Sequence, residues 1–492
     1  MGLSISLFML MHFLALLSLY NLMFASSSFV QPLCHDDESF ALLQFKESFI
    51  IDHSASSETS AYPKVSSWKL ESDDCCSWDG VGCDKDTGHV ISLDLSSSCL
   101  YGSINSSSSL FRLVNLQRLN LSDNYFNLSR IPVGIRQLSP LKLLKLAGTS
   151  FYGELPDSIG DLKLLNDFDV RECNFSGPVP SSFGNLTELI YLDLGQNWKL
   201  TPIPFFIRNL TQLTYLNLGY CNLTGHIPSW LANLTQLADL RLGSNGLHGP
   251  IPSWISRLTN LQNLSNLQLS SNQISLLTKP SNNTTFPKFR ILGLGSCDLH
   301  EFPDFLKSQE ELEFLVLSNN KISGLIPKWM WNSGKKTLWN LALYNNFLTG
   351  FHQFPVILPW TNLRNLDLSY NKLQGSLPIP SPSIITYSVS NNTLTGELPQ
   401  MICNPSSLVS LDLSYNNLSG MLPDCLGNLS FSLSILNLRR NNFHGNIPQL
   451  CKKGSKLKMI DFSQNQLQGW IARSLVNCTL LETLCSQKQS DK

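Results

Sequence analysis

The chain has 492 residues, of which 42% are hydrophobic and only 14% charged. Its 35 Lys+Arg against 36 Asp+Glu leave a formal net charge of -1, which excludes the basic field that a nucleic-acid binder needs. Length alone admits several globular domains, but a sequence period described below argues for one elongated body.

The opening run, MGLSISLFMLMHFLALLSLYNLMFASSS, is apolar and ends in small residues around Ala25 and Ser26. It reads as a signal peptide over 1–26, although no Lys or Arg precedes it; a retained membrane anchor is the rival reading. No later segment offers the roughly 20 continuous apolar residues of a membrane span. The expectation is therefore a secreted or apoplastic chain with no membrane span.

An N-terminal cap is expected over 27–90. In DDESFALLQFKESFIID the acidic residues at 36–38 precede Phe40, Leu43 and Phe49, which predicts a short amphipathic helix with its charge complementing the helix start. Trp68 and Trp78 add apolar area. In DDCCSWDGVGC stand Cys75, Cys76 and Cys83, which with Cys34 make four cysteines. Spacing permits three pairings, of which we expect Cys34–Cys75 and Cys76–Cys83. A zinc site lacks a second cluster of paired ligands.

From 91 to 484 one pattern returns. Leu411 to Pro423, LDLSYNNLSGMLP, fits LxLxxNxLxGxIP, and related copies occur at Leu366–Asn371, Leu436–Asn441 and Leu216–Cys221. The Asn-equivalent positions run from Ser98 to Asn465 in about sixteen copies of about 24 residues, a leucine-rich-repeat spacing. One copy cannot bury its own leucines, so copies must stack. The fold class follows: an α/β repeat solenoid, a horseshoe or superhelix with a parallel concave sheet about 75 Å along its inner arc at about 4.8 Å per strand. Segments such as PSSFGNL and PSWLANL predict short helical turns on the convex side.

The recurring Asn sits where the chain leaves the strand, and its amide can satisfy backbone groups that have no ladder partner. Cys173, Cys221 and Cys297 replace it in three copies, as small buried thiols with a weak donor. Two copies break the pattern. ISLLTKPSNNTTFPKF reads as a loop, and Pro378, Pro380 and Pro382 bar a convex helix.

Sequons occur at Asn105, Asn120, Asn127, Asn174, Asn185, Asn209, Asn222, Asn233, Asn263, Asn282, Asn283, Asn391, Asn417, Asn428 and Asn477. A repeat that spells NLT or NLSG generates them automatically, yet Asn185, Asn209 and Asn233 fall one repeat apart and would line glycans along one edge. Cys403 and Cys425 lie at neighbouring places in adjacent copies and can form a disulfide or remain buried thiols. Cys99, Cys451, Cys478 and Cys485 have no assigned partner. With 13 cysteines, at least one stays unpaired within the chain. LVNCTLLETL opens a further copy, after which 485–492 abandon the repeat.

The cap pattern CHDDESFALLQFK, with Trp68 and DCCSWDGVGC, followed by repeats ending GxIP, resembles the extracellular part of plant leucine-rich-repeat receptor-like proteins of the disease-resistance type. That resemblance implies the same cap disulfides. It also implies a ligand-binding role in pathogen or developmental signal perception, with an extracellular peptide, protein or glycan ligand and a receptor-kinase co-receptor. Family members continue through more repeats, an acidic stretch and a membrane helix, so the expectation is a truncated form without its anchor. The alternative is a secreted inhibitor of microbial wall-degrading enzymes, similar to polygalacturonase-inhibiting proteins, which are shorter and end in a cysteine cap.

No catalytic constellation stands out. The 9 histidines are scattered, with no HExxH, no Cys-x-x-Cys and no nucleophile elbow. SGKKT at 333–337 lacks the upstream Gly of a phosphate loop and reads as a basic surface turn. No enzyme activity, cofactor or metal is expected. Function is assigned to outward-facing positions beside the paired leucines, namely Asp167, Asp169, Arg171, Tyr191, Asp193, Tyr215, Asn217, Tyr220, Asp239 and Arg241, with Gln196 nearby. An apolar stripe of Ile291, Phe314, Val316 and Tyr344 is a second candidate, and Arg439 with Arg440 a third.

Overall fold

The structure is a computed structural model, and it describes residues 33–69, 74–126, 129–200, 205–252, 255, 263–275, 286–352, 357–468 and 473–485. The expected signal peptide, the loop at 276–285 and the sequons Asn127, Asn282 and Asn283 lie outside them.

Alternation decides the fold. In Leu411–Asp412–Leu413 the two leucines are fully buried and the residue between them is half-exposed, as a strand's period of two requires. The three-residue strand Ser410–Asp412 pairs in parallel with Thr386–Ser388 on one side and Ile435–Asn437 on the other, setting Leu411 beside Tyr387 and Leu436. Repeated along the chain, this pairing gives one sheet of eighteen strands among the described residues. The sheet is open: Val81–Cys83 begins it, antiparallel to Val90–Asp94, and Thr483–Cys485 ends it beside Met459–Asp461.

After each strand the backbone crosses a left-handed residue and then reaches the ladder position. Tyr415 (φ 54°) precedes Asn416, Tyr220 (φ 56°) precedes Cys221 and Gln196 (φ 58°) precedes Asn197. A left-handed non-glycine residue costs about 1–2 kcal/mol, and the ladder offsets it. Asn416 Nδ2 donates to the carbonyls of Val389 (3.0 Å) and Leu413 (3.1 Å), while its Oδ1 accepts from Leu394 N–H (3.0 Å). One amide thus joins two copies. The three cysteines keep only the donor part, from Cys173 Sγ to Leu146 O (3.2 Å), Cys221 Sγ to Leu194 O (3.1 Å) and Cys297 Sγ to Leu269 O (3.3 Å).

A second set of strands follows the ladder, and the leucine pattern does not announce it. Thr393–Glu397, Asn417–Met421 and Asn442–Asn446 pair in parallel within a five-stranded sheet. Gly420 of GxIP has φ 83°, and a Cβ there would lie 2.6 Å from Glu397 Cγ. Its lack of a side chain lets neighbouring copies close up. On the convex side the expected helical turns are 3-10 turns led by proline, such as Ser181–Asn185 and Ser229–Asn233. At 376–384 no such turn forms. Tyr387 takes a leucine's place there, fully buried, and its hydroxyl donates to Pro378 O at 2.7 Å.

The cap helix is Asp36–Lys46. Its buried face is Glu38, Ala41, Leu42 and Phe45, not the expected Phe40, which is exposed, or Leu43, which is half-buried. Helical spacing of three and four puts those four residues on one side. Glu38 tolerates burial because it accepts Val90 N–H (2.8 Å) and faces His89 Nδ1 (3.3 Å). Trp68 and Trp78 stack at 5.7 Å. The disulfides are Cys34–Cys75, Cys76–Cys83, Cys403–Cys425 and Cys451–Cys478. The first two match expectation, the third settles the open choice at Cys403 and Cys425 as a disulfide, and the fourth pairs two cysteines that sequence spacing had left unassigned.

Candidate functional site

Five neighbouring concave strands, Leu143–Lys145, Asp167–Asp169, Tyr191–Asp193, Tyr215–Asn217 and Asp239–Arg241, carry most of the candidate residues. Their register sets Asp167, Tyr191, Tyr215 and Asp239 in one row and Asp169, Asp193, Asn217 and Arg241 in the next. The rings of Tyr191 and Tyr215 stack at 4.2 Å and 8°. Both hydroxyls approach one carboxylate oxygen, Asp193 Oδ2, at 3.4 and 3.1 Å, while Asp193 Oδ1 accepts Gly195 N–H at 2.9 Å.

Three of the carboxylates hold outward strand positions yet are covered by their neighbours. Asp193 is 0% exposed, Asp169 4% and Asp239 8%. Tyr191 from the same strand and Tyr215 from the next, about 4.8 Å away, close over Asp193, while Arg171 and Arg241 reach back over Asp169 and Asp239 two residues before them. Burial, and then the neighbouring Asp193 charge, push the Asp169 carboxyl up to about 6, against the lowering pull of Arg171 N–H and the Arg171 guanidinium. Burial and the same Asp193 charge raise the Tyr191 hydroxyl and push that of Tyr215 up to about 12.

Cations form the outer layer. Arg241 Nε and one terminal nitrogen each lie 3.0 Å from the two oxygens of Asp239, and its guanidinium sits 5.1 Å from the Tyr215 ring. Arg171 faces Asp169 at 3.8 Å. Two members escaped sequence reasoning. Lys145 pairs with Asp167 at 3.2 Å and lies 5.6 Å from the Tyr191 ring, and Asn266 donates to Asp239 Oδ2 at 3.0 Å. Each occupies an outward strand position one copy beyond the group selected from sequence, so continuing the row by one copy at both ends would have found them. Asp167 Oδ1 is buried without a hydrogen-bond partner in the protein, an acceptor of the kind that natural structures rarely leave unpaired.

Two candidates take no part in the charge network among the described residues: Asn217, although it sits in the second row, and Tyr220. Asn217 Oδ1 is taken by Gly219 N–H at 2.9 Å. Tyr220 lies in the turn after its strand, exposed, and lines a separate concavity with Gln196 and Trp198. In the apolar stripe, Ile291 pairs with Phe314 and Gly293 with Val316. These side chains are half-buried, and Phe314 packs on Trp339 at 5.2 Å. Tyr344 sits in the following turn, where its hydroxyl accepts from Asn319 Nδ2 at 3.3 Å. Arg439 and Arg440 flank the Tyr415 ring at 5.6 and 5.3 Å.

The convex turns and the cap hold no competing chemistry among the described residues. The sulfurs of Cys34, Cys75 and Cys76 cluster, but all three are in disulfides and offer no thiolate. In SGKKT, Ser333 Oγ donates to Leu306 O (2.7 Å) and Gly334 N–H to Gln309 O (2.9 Å), so the segment is a solenoid turn. Among sequons, Asn105, Asn174, Asn185, Asn209, Asn222, Asn233, Asn263, Asn417, Asn428 and Asn477 are exposed, whereas Asn120 and Asn391 are half-buried. Asn185, Asn209 and Asn233 end three successive convex turns.

Fold and cap define a leucine-rich-repeat ectodomain with a disulfide-bonded N-terminal cap. Family models agree: a leucine-rich repeat region matches 96–324, a leucine rich repeat N-terminal domain matches 35–84, and single leucine rich repeats match 362–383 and 407–429. Receptor like protein 26 of Arabidopsis thaliana is 36% identical over 81% of this chain and 50% of its own length. Receptor like protein 22 of the same plant is 38% identical over 80% of this chain and 51% of its own. The Arabidopsis receptor kinase HAESA, solved in complex with the peptide hormone IDA and the co-receptor SERK1, superposes with a TM-score of 0.67 at 31% identity, covering 92% of this chain and 81% of that one. The chain belongs to the plant leucine-rich-repeat receptor-like proteins. It spans about half the length of the curated relatives it matches. Among the described residues no helix is long and apolar enough to cross a membrane.

Proposed function

We propose that this chain is the ligand-binding extracellular part of a receptor-like protein in signal perception, and that it recognises a peptide across the concave strands from Leu143 to Arg241. The observation that carries this reading is the layered row itself. Stacked Tyr191 and Tyr215, with Lys145, Arg171 and Arg241 outermost, lie over carboxylates that are already paired within the protein. Such a surface offers rigid aromatic area and guanidinium donors, the groups that dominate protein interfaces. The complex of HAESA with the peptide hormone IDA supports a peptide as the ligand class, and the co-receptor SERK1 in that complex supports a co-receptor as partner.

The test is surface plasmon resonance of the purified protein against a synthetic array of secreted plant and microbial peptides. A peptide that binds the native protein should lose about tenfold or more in affinity to Tyr191→Ala and to Arg241→Ala, the loss of one interface anchor, and little to Arg439→Ala. A bound peptide indifferent to Tyr191 and Arg241 would move the site elsewhere. Stoichiometric inhibition of a microbial wall hydrolase without peptide binding would favour an inhibitor instead.

A further inference from the structure

The turn edge near Cys173 holds a concavity that the concave-face site does not use. It is lined by Glu172, Asn174, Gln196, Trp198 and Tyr220 around the buried Cys173. Three successive copies build it, and the left-handed residues Glu172, Gln196 and Tyr220 (φ 55°, 58° and 56°) form one row. The second row is irregular. From the ladder residue to the next buried apolar residue the neighbouring copies take two steps, Cys173 to Phe175 and Cys221 to Leu223, whereas this copy takes three, Asn197 to Leu200. The register with the preceding copy shifts to match, Lys199 opposite Ser176. The extra residue leaves Lys199 exposed where the neighbouring copies bury Phe175 and Leu223, and Trp198 takes the first place after the ladder residue, exposed as Asn174 and Asn222 are.

Trp198 is 62% exposed and Tyr220 59%. Two large aromatic side chains in one concavity, beside a carboxylate and two amides, form the surface that a pyranose ring needs. Its face of C–H groups lies on an aromatic ring while its hydroxyls and acetamide reach polar groups at the rim. One wall of the concavity supplies the attachment point: Asn174, exposed, opens the sequon Asn174–Phe175–Ser176. Asn222, also a sequon, does not line it.

We propose that the concavity bounded by Trp198 and Tyr220 seats the first N-acetylglucosamine of a glycan carried by Asn174. The amide nitrogen of Asn174 displaces a polyprenyl pyrophosphate from the anomeric carbon of the donor oligosaccharide. The C1–N bond forms as the C1–O bond breaks, the pyrophosphate leaves with the electron pair, and the amide gives up one proton. Once the repeats stack, tethering at Asn174 holds the ring beside Trp198 at high effective concentration, so a contact too weak to retain a free sugar suffices. Glu172 and Gln196 are the rim partners for its hydroxyls and acetamide.

The proposal is tested on protein secreted from cells that leave oligomannose glycans, by site-resolved mass spectrometry during native digestion with an endoglycosidase that cuts between the first two sugars. Asn174 should be occupied and cut about tenfold more slowly than exposed Asn209, a factor that corresponds to about 1.4 kcal/mol. Trp198→Ala, and to a lesser degree Tyr220→Ala, should bring the Asn174 rate up to that of Asn209, whose own rate stays constant and reports that the solenoid is folded. Equal rates in the native protein, a rate unmoved by Trp198→Ala, or an unmodified Asn174 beside a glycosylated Asn209 would each overturn the proposal. Saturable quenching of tryptophan fluorescence by added chitobiose in the glycosylated protein would overturn it too, because it needs an open concavity. A protein glycosylated nowhere would defeat the extracellular reading along with this one, and peptide binding on the concave face is scored independently of either.

Discussion

Two stretches of the concave sheet share one frame and differ in what they show to solvent. In both, consecutive strands bury a central leucine, Leu192 and Leu216 in one and Leu292 and Leu315 in the other, in the same parallel register. Outward, the first carries Tyr, Arg, Lys and Asp, and the second carries Ile, Phe, Val and Gly. The frame does not depend on these residues, because stacking is driven by the leucines and the amide ladder. Recognition can therefore change from copy to copy without cost to the fold, but only the first stretch couples its outward residues to buried charge.

The largest effect should be the one that ignores the difference. Leu192→Ala and Leu315→Ala should each cost about 2–5 kcal/mol in urea unfolding, as buried leucine truncations do. A clear gap between the two would mean that the stretches are not equivalent scaffolds.

The next effect should appear in the first stretch alone. Because the Asp169 carboxyl is raised to about 6 from the ordinary 3.8, the folded state holds its proton more tightly than the unfolded chain. That contribution is fully present below about pH 4 and is lost as pH rises through about 6. Asp169→Asn, which stays neutral, should therefore gain on the native protein by about 2.5 kcal/mol between pH 4 and pH 7, at about 1.4 kcal/mol per unit. Unfolding curves at the two pH values measure it, and a difference that does not change with pH would remove the buried-charge account of this stretch.

The smallest of the three effects should come from Tyr215→Phe. The ring stays stacked on Tyr191 while the 3.1 Å bond to Asp193 is lost, which should cost about 1.5 kcal/mol, as for a hydrogen bond to a charged group. Phe314→Tyr in the apolar stretch, which adds a hydroxyl instead of removing one, should change stability by less. Equal costs would mean that the hydroxyls do not hold Asp193.

Much of this architecture was legible without coordinates, for local reasons. Leu411, Leu413 and Asn416 recur at a fixed spacing, and period two on a strand leaves no choice of which face is buried. The cap pairs Cys34–Cys75 and Cys76–Cys83 were expected among the three pairings that four cysteines allow, whereas the neighbouring places of Cys403 and Cys425 in stacked copies left disulfide and thiols both open. The candidate site was legible as a set of outward positions, and the strands do gather most of it, but its layering was not. Sequence named Asp193 and Tyr215 as equals, whereas one lies beneath the other.

What the sequence determined by itself is thus whatever one repeat dictates to the next: the stack, the parallel sheet, the buried leucines and the amide column. What only the tertiary structure decided depends on side-chain length across copies and on small departures from the period. Tyr and Arg close over Asp169, Asp193 and Asp239 because strand alternation and the stacking of copies set long side chains beside short ones on one face. Tyr387 reaches Pro378 because a convex turn is missing there. Lys199 is exposed where neighbouring copies bury Phe175 and Leu223, because one extra residue separates Asn197 from Leu200. A periodic pattern specifies the lattice, and contacts between copies that break the pattern form only when the lattice is assembled.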